Sequence, residues 1–362
     1  MQNLNKVYNK QFNYFLNLNS FFTKGIVKKK LFVSIMNIIH KIHFNGSEEF
    51  KLVMKKFNSI KINKIENIPF LVARLFKEMD MKSVEKKDIF KILTSSGTSG
   101  KQSKIFLSKS NAINQTKVLS KIFYDFFGNF SRFPMIIVDS DNILKNRISF
   151  SARAAAVLGF SVFGKDHFYL LDQNYNVKEK ELSIFLKKYK NNKLFIFGFT
   201  SLIWEKLILF DFKKKVDLEN SFILHGGGWK KLAKKNISNL KFKKELLKKF
   251  KIKNVHNYYG MIEQGGSIFF ECSEGYFHTS VFSEILIRDK KFKLVENKQK
   301  GIIQSISILP ISYPGHSILT EDEGMVIGED NCSCGKKGKI FKVFGRLEHA
   351  ETRGCSDNYD LQ

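Results

Sequence analysis

The sequence predicts an α/β fold. Between about residues 90 and 315, short apolar runs alternate with amphipathic stretches, as they do when buried strands and surface helices follow one another. From about Glu284 onward, runs of Ile, Leu and Val separated by short turns predict a more β-rich lobe. A chain of 362 residues with 43% hydrophobic content is also long enough to bury one large core or two subdomains.

The elements are assigned from the spacing of the apolar residues. Helical spacing in Phe12–Phe22 and Leu31–Ile42 predicts that residues 1–80 are mainly helical, and Pro69 marks a boundary. Residues 81–345 form the predicted α/β domain, and residues 346–362 a C-terminal tail. Strands are expected at Met135–Val138, Ser161–Phe163, Leu194–Phe197 and Phe222–Leu224, and helices at Ser151–Leu158, Lys178–Tyr189 and Leu202–Phe210.

The chain is strongly basic, with a formal net charge of +27 from 61 basic and 34 acidic residues. The lysines are spread over the whole sequence, without the residue spacing of a helix-turn-helix, an RNA-binding domain or a zinc finger. We therefore predict a solvated basic surface and no specific nucleic-acid site. A nucleic-acid-binding or scaffold protein with an inactive enzyme fold is the alternative from a different class. The positive field would also attract small anionic molecules and acidic proteins.

No segment has the ~20 apolar residues that a membrane-spanning helix needs. The polar N-terminus also lacks the apolar core and cleavage site of a signal peptide. We therefore expect a cytoplasmic protein without a membrane span.

The loop from Thr94 to Lys104 combines glycines, hydroxyl side chains and lysines. Glycine lets backbone N–H groups approach an anion, hydroxyls donate to its oxygens and lysine adds charge, so the loop suits a polyphosphate. It does not fit the Walker A pattern, and a solvated Ser/Gly turn is the alternative. The apolar flanks Phe90–Leu93 and Ile105–Leu107 predict a β-hairpin with this loop at its tip.

The cysteines suggest a metal site. Cys272 and His278, followed by Cys332 and Cys334, supply three thiols and one imidazole, a usual ligand set for structural zinc. In a cytoplasmic protein this set favours zinc over a disulfide. The alternative is that these cysteines are reduced and inert in the core.

Four further segments follow the phosphate-type loop in a fixed order. His225–Lys230 contains three glycines after an apolar strand, which allows a flat ring to lie against bare backbone, although an ordinary strand-to-helix turn has the same pattern. Next come Tyr258–Gln264, Thr320–Asp322, and finally Gly345–Arg346 with Arg353–Asp357. Cys355 lies in the last segment, where Arg353 would favour its thiolate.

Taken together, these motifs resemble the adenylate-forming superfamily of ATP-dependent acyl- and aryl-activating ligases. Within it, the chain is most similar to the acyl-protein synthetase family, the fatty-acid-activating subunit of the bacterial luminescence fatty acid reductase complex. The resemblance implies the large N-terminal domain of the adenylate-forming fold. Because the chain ends shortly after Gly345, it also implies that the usual mobile C-terminal domain is lacking.

The resemblance assigns roles to individual residues. The loop would hold the β- and γ-phosphates of ATP, the glycine run the adenine and Asp322 the ribose, while Glu263 would bind Mg²⁺. Tyr259, Gly260 and Arg346 would also contact the nucleotide. Ile262 departs from the family pattern, which has Thr at that position. The phosphate-binding residues would be Ser95, Ser96, Gly97, Thr98, Ser99, Gly100 and Lys104, and the glycines Gly226, Gly227 and Gly228.

The implied activity is activation of a fatty or related carboxylic acid as an acyl-adenylate, with ATP and Mg²⁺. The acyl group would pass to Cys355 and then to an acyl-accepting reductase, a carrier protein or a transferase. The alternative is a ligase that transfers the acyl group directly to CoA or a phosphopantetheine thiol. Lys104 or Lys230 would replace the catalytic lysine of the missing domain. The Cys/His arrangement proposed for zinc also occurs in some phenylacetate-type ligases.

Overall fold

The computed structural model describes residues 2–56, 62–95, 102–128, 131–144, 151–228 and 237–347. These residues divide into two compact units. The first contains the described residues up to Ser95, residues 102–128 and residues 260–347, and the second contains the described residues from 131 to 259. The boundaries at residues 80 and 345 that the sequence suggested stay predictions.

The structure alternates helices and strands along much of its length. In chain order, the helices are α1 (Gln2–Asn17), α2 (Gly25–Gly46), α3 (Glu48–Lys55), α4 (Leu75–Glu78), α5 (Lys109–Phe127), α6 (Ala152–Ser161), α7 (Glu179–Lys188), α8 (Thr200–Ile203, continued by a π-helical turn, Trp204–Ile208) and α9 (Asn239–Phe250). The strands are β1 (Leu71–Val72), β2 (Ile89–Thr94), β3 (Lys104–Ser108), β4 (Phe133–Ser140), β5 (Gly164–Leu171), β6 (Leu194–Phe199), β7 (Ser221–Gly226), β8 (Asn254–Tyr259), β9 (Phe269–Phe270), β10 (Phe277–His278), β11 (Ser283–Arg288), β12 (Gly301–Ser307), β13 (Ser317–Glu329) and β14 (Lys339–Arg346). The predicted α/β class is confirmed.

The first unit is built on a mainly antiparallel sheet with the order β10-β14-β13-β12-β11, and β1 runs parallel to β13. This sheet is the β-rich lobe expected from Glu284. Helices α1 and α2 pack through aromatic rings. The ring centroid of Phe15 in α1 lies 6.4 Å from that of Phe32 in α2 and 6.4 Å from that of Phe282, which directly precedes β11. Helical spacing predicted a helix that continues to Phe22, but α1 ends at Asn17. The next buried aromatic residue, Phe21, lies in the turn that follows the helix, so the apolar spacing alone does not mark the helix end.

The second unit contains five parallel strands in the order β5-β4-β6-β7-β8. Every residue of β4, β6 and β7 is buried, as expected for parallel strands that are covered on both faces. The carboxyl ends of parallel strands meet at one edge of a sheet, where open α/β sheets bind ligands. The predicted glycine run begins at this edge with Gly226, the last residue of β7, and Tyr259 ends β8 there.

One predicted strand is wrong. Helix α6 extends through Ser161, the backbone N–H of Phe163 donates to the carbonyl of Phe160 at 3.1 Å, and the strand begins only at Gly164. Phe160 and Phe163 are both buried at the end of the helix. A short apolar run has the same appearance in a helix terminus and in a buried strand, so periodicity could not separate the two.

Candidate functional site

The phosphate-type loop stands on a hairpin, as the sequence predicted. Strands β2 and β3 pair antiparallel, with Thr94 opposite Lys104. The N–H of Ser95 donates to the carbonyl of Ser103 at 3.1 Å, and the Ser95 hydroxyl accepts from the N–H of Ser103 at 2.9 Å. These two bonds fix the base of the loop. Ser96, Gly97, Thr98, Ser99 and Gly100 lie outside the described residues, so their roles stay predictions.

Lys104 lies at the start of β3, where its ammonium is 3.2 Å from a carboxylate oxygen of Asp80. Both side chains are more than half exposed. An exposed ion pair of this kind contributes at most about 1 kcal/mol, so it leaves the ammonium available to an anionic ligand. Lys230 lies outside the described residues.

Glu263 lies in a single 3₁₀ turn, Ile262–Gln264, and is 9% exposed. Burial raises the pKa of its carboxyl, and the group's own backbone N–H, the Ser103 hydroxyl and the charges of Arg346 and Lys77 oppose this shift only in part. The raised pKa means that the ionised carboxylate is poorly stabilised by its surroundings. A bound cation would supply the missing charge, so Glu263 fits the role of a Mg²⁺ ligand.

The side chain of Gln264 anchors the same turn. Its amide nitrogen donates to the carbonyls of Ser305 and Gly315, each at 2.9 Å, and its amide oxygen accepts from the Ser305 hydroxyl at 2.6 Å. All of these groups are buried. Glu263 is therefore presented by a turn that is fixed to the sheet of the first unit.

Asp322 and Arg346 lie opposite each other on β13 and β14. The Arg346 guanidinium is 3.9 Å from a carboxylate oxygen of Asp322 but only 3.2 Å from one of Glu321. The N–H of Asp322 donates to the Thr320 hydroxyl at 3.1 Å. The structure thus brings the predicted ribose-binding and nucleotide-binding residues together, and it adds Glu321 as the nearer partner of Arg346.

The three glycines lie at the carboxyl end of β7 in the second unit. A Cβ atom on Gly226 would lie 2.3 Å from a ring carbon of Tyr258, so only glycine fits there. Gly227 has a φ of +77°, a left-handed conformation that glycine adopts without strain, and Gly228 is exposed. Tyr259 is the last residue of β8. Gly260 begins the C-terminal segment of the first unit. It is closely packed, since a Cβ atom at this position would lie 2.6 Å from the Ile268 side chain.

Two polar residues lie beside these glycines: Thr200, which no sequence motif indicated, and His225, which the sequence placed in the glycine segment without a role. The hydroxyl of Thr200 is 2.9 Å from Nδ1 of His225 and 2.9 Å from the carbonyl oxygen of Gly227. Both side chains are buried, and burial lowers the pKa of His225 to about 3. The only signal in the sequence was a polar residue directly after each of two buried apolar runs.

Cys272, His278, Cys332 and Cys334 come together as the spacing predicted. Their sulfur and nitrogen ligand atoms all lie within 4.8 Å of one another, with 3.9 Å between the sulfurs of Cys272 and Cys332 and 3.4 Å between Cys334 Sγ and His278 Nε2. Burial raises the pKa of the Cys332 thiol to about 12 and lowers that of His278 to about 4. A cation among these donors would reverse the first effect and favour thiolates.

The comparison with known families decides the relationship. A family model described as acyl-protein synthetase, LuxE, matches residues 23–361. The chain belongs to this family. Family membership supports an AMP-forming ligase that activates a carboxylic acid with ATP. No match is found among the curated protein sequences.

Solved structures confirm the adenylate-forming fold. An open conformation of 2-hydroxyisobutyryl-CoA ligase, in complex with 2-HIB-AMP and CoA, is similar with a TM-score of 0.70 and 12% sequence identity, over 92% of this chain and 79% of that one. The postadenylation state of the same ligase matches with a TM-score of 0.68 and 11% identity, over 91% and 70%. Among the described helices of this chain, none is long and apolar enough to cross a membrane.

Proposed function

We propose that the chain converts a fatty or related carboxylic acid into an acyl-adenylate and passes the acyl group through Cys355 to a partner protein. In the first step, a carboxylate oxygen of the acid bonds to the α-phosphorus of ATP, and the bond to pyrophosphate breaks. In the second, the Cys355 sulfur bonds to the acyl carbon, the bond to AMP breaks and the thiol proton goes to solvent. Cys355 lies outside the described residues, so the family motif alone supports its part.

The observation that carries the first step is the arrangement of the first unit, in a chain whose family match spans residues 23–361. The loop hairpin and the Glu263 turn are tied to the same segment there, since the Ser312 hydroxyl donates to the carbonyl of Phe106 in β3 at 2.8 Å and the Gln264 amide donates to the carbonyl of Gly315 at 2.9 Å. A polyphosphate held by the loop would therefore lie near a buried carboxylate. Bound Mg²⁺ would neutralise part of the phosphate charge as pyrophosphate departs.

The remaining site residues would position the nucleotide. Asp322 would accept hydrogen bonds from both ribose hydroxyls, with Arg346 opposite it on β14. The glycine run and Tyr259 would contact the adenine, and Lys104 or Lys230 would add positive charge at the phosphates. The final acceptor would be an acyl-accepting reductase, a carrier protein or a transferase.

The cysteine cluster would bind one structural Zn²⁺. Three thiols and one imidazole match the usual donor set, and the 3.9 Å between two of the sulfurs suits a tetrahedral ion with Zn–S bonds of about 2.3 Å. The ion would connect the turn before β10 to the turn between β13 and β14.

The acyl transfer is tested by mass spectrometry of protein incubated with ATP, Mg²⁺ and fatty acids of different chain lengths. We expect an acyl adduct that neutral hydroxylamine removes, that is present in a Ser356→Ala control and that is lost in Cys355→Ser. The Cys355→Ser variant should still exchange pyrophosphate with ATP, because adenylation precedes transfer. Formation of acyl-CoA from added CoA, without any acyl-enzyme, would instead identify a direct CoA ligase.

A further inference from the structure

Thr200 connects two neighbouring strand ends in the second unit. It follows β6 directly, and Phe199 of β6 pairs with Gly226 of β7. Its hydroxyl lies 3.1 Å from the carbonyl oxygen of Gly226, 2.9 Å from that of Gly227 and 2.9 Å from Nδ1 of His225. Thr200 is 4% exposed and His225 is 1% exposed, so water does not compete for the contacts with His225 and Gly226, whereas the contact with Gly227 is only partly buried.

The three contacts assign the proton positions. A carbonyl oxygen only accepts, so the single Thr200 proton is donated to the glycine carbonyls. The hydroxyl oxygen then accepts from His225, which must carry its proton on Nδ1. His225 is neutral, since burial and the charge of Lys243 lower its pKa to about 3. Nε2 is buried without a hydrogen-bond partner among the described residues.

Glycines have no side chains by which packing can hold them. Hydrogen bonds to their backbone groups therefore have to fix the orientation of their peptide planes. Gly227 has a φ of +77°, which is only one of the many backbone conformations that glycine can adopt. Removal of the Thr200 hydroxyl would leave the buried Nδ1–H of His225 without this partner and would take one hydrogen bond from each of the two glycine carbonyls. Gly226 is also held by its pairing with Phe199 and Tyr258 in the sheet, so the hydroxyl matters most for the orientation of the Gly227 peptide.

We propose that Thr200 and His225 are positioning residues, which hold the Gly226 and Gly227 peptide planes flat for the adenine ring of ATP. This inference rests on the proposed function, because it assumes that the glycine run binds the nucleotide. Thr200 acts on the glycines directly, whereas His225 acts through Thr200.

The test compares Thr200→Val, which removes the hydroxyl at nearly constant volume, with Thr200→Ser, which keeps it. Thr200→Val should raise the dissociation constant and the KM of ATP about tenfold or more, with the KM of the acid changed less than twofold. Thr200→Ser should restore most of the affinity. Thr116→Val is the matched control, because that hydroxyl is exposed and bonds only a helix carbonyl.

The proposed role of His225 as a hydrogen-bond donor to Thr200 is tested by two substitutions that differ in whether they keep a donor. The side-chain amide of Asn can place a donor where Nδ1–H was, so His225→Asn should bind ATP better than His225→Leu. Nitrogen NMR of the wild type should show the Nδ1–H tautomer of one histidine, without titration down to pH 5. An Nε2–H tautomer for His225 would contradict the assignment.

The outcomes separate the two proposals. If the wild type binds ATP and Thr200→Val binds it equally well, the positioning role is overturned and the proposed function stands. Equal losses of affinity for ATP and for the acid, without rescue by Thr200→Ser, would show a general structural role and also overturn it. A folded wild type that binds no nucleotide would overturn the proposed function, and the positioning role with it.

Discussion

The carboxyl group of Glu263 is the side chain on which the proposed adenylation depends most. It is buried, and its raised pKa shows that its charge is incompletely compensated in the first unit. Cation binding at this point would stabilise both the carboxylate and the phosphates that leave.

Replacement of Glu263 by Gln should lower acid-dependent pyrophosphate exchange at least about 100-fold, because several kcal/mol of charge stabilisation is lost. The fold should persist, since Gln has the same shape and needs no counter-ion. Circular dichroism checks the fold, and Glu181→Gln, at an exposed position of α7, is the control. Retention of more than a tenth of the activity would remove Glu263 from the metal site.

Asp322 makes a prediction about the ribose. Loss of a hydrogen bond to a charged group weakens binding by about 1.5–3 kcal/mol, so Asp322→Asn should raise the KM of ATP roughly 10- to 100-fold. The wild type should discriminate against 2′,3′-dideoxy-ATP, and the variant should not. If both proteins discriminate equally, the ribose is bound elsewhere and the carboxylate only pairs with Arg346.

Single residues could be predicted from the sequence where a motif defines them. Glu263, Asp322 and Arg346 occupy positions in ordered motifs, and the structure brings Asp322 and Arg346 together on paired strands. Thr200 and Glu321 could not be predicted, because their contacts depend on strand register. The pairing register of β6 and β7 places Thr200 at the end of β7, and that of β13 and β14 places Arg346 beside Glu321. No local sequence pattern encodes the register of two strands that are distant in the chain.

At the element scale, the cluster of Cys272, His278, Cys332 and Cys334 joins three parts of the first-unit sheet. Purified wild type should contain about one zinc per chain by mass spectrometric metal analysis. Cys334→Ser should lose it and unfold at least about 5 °C lower. Ser333→Ala, an exposed neighbour that is not a donor, should behave as wild type. A zinc-free wild type, with Cys334→Ser equally stable, would show that the cysteines are reduced and inert.

Two buried histidines, His43 and His316, and the partly buried His40 make the first unit sensitive to acid. His43 of α2 stacks on His316 with 4.8 Å between ring centroids, and His40 is 6.1 Å from His316. Burial lowers the pKa of His40 to about 4 and of His43 to about 3, and that of His316 well below its usual value. All three pKa values are depressed, so the unfolded chain takes up protons near pH 6.5 that the folded chain refuses.

Stability should therefore be complete above pH 6.5 and fall as the pH drops towards about 4. Each histidine contributes a slope of about 1.4 kcal/mol per pH unit below its unfolded pKa. Denaturant unfolding at several pH values should show a shallower slope in His316→Phe than in wild type, and an unchanged slope in His167→Phe, whose ring is exposed. Equal slopes in all three proteins would contradict the assignment.

Elements with uninterrupted burial were the easiest to predict. The strands expected at Met135–Val138, Leu194–Phe197 and Phe222–Leu224 are confirmed as β4, β6 and β7, because parallel strands covered on both faces are apolar throughout. The strand expected at Ser161–Phe163 is wrong, since the end of a buried helix has the same composition. Element boundaries depend on tertiary packing, which local spacing does not contain.

At the scale of the whole molecule, the alternation of apolar and amphipathic stretches predicted the fold class, and the order of the motifs predicted the family. Composition did not predict the family, because a net charge of +27 also occurs in proteins that bind nucleic acids. The sequence allowed two subdomains but did not indicate which segments form each one, because the first unit is assembled from segments at both ends of the chain. Contacts between distant segments leave no periodic signal in either of them.

The central claim is that this chain activates a carboxylic acid with ATP, and isotope exchange between pyrophosphate and ATP tests it most directly. The account predicts exchange that requires both Mg²⁺ and a fatty or related acid, that disappears in Glu263→Gln and that persists in Cys355→Ser. Folded wild type that catalyses no exchange with any acid, at millimolar ATP, would contradict it.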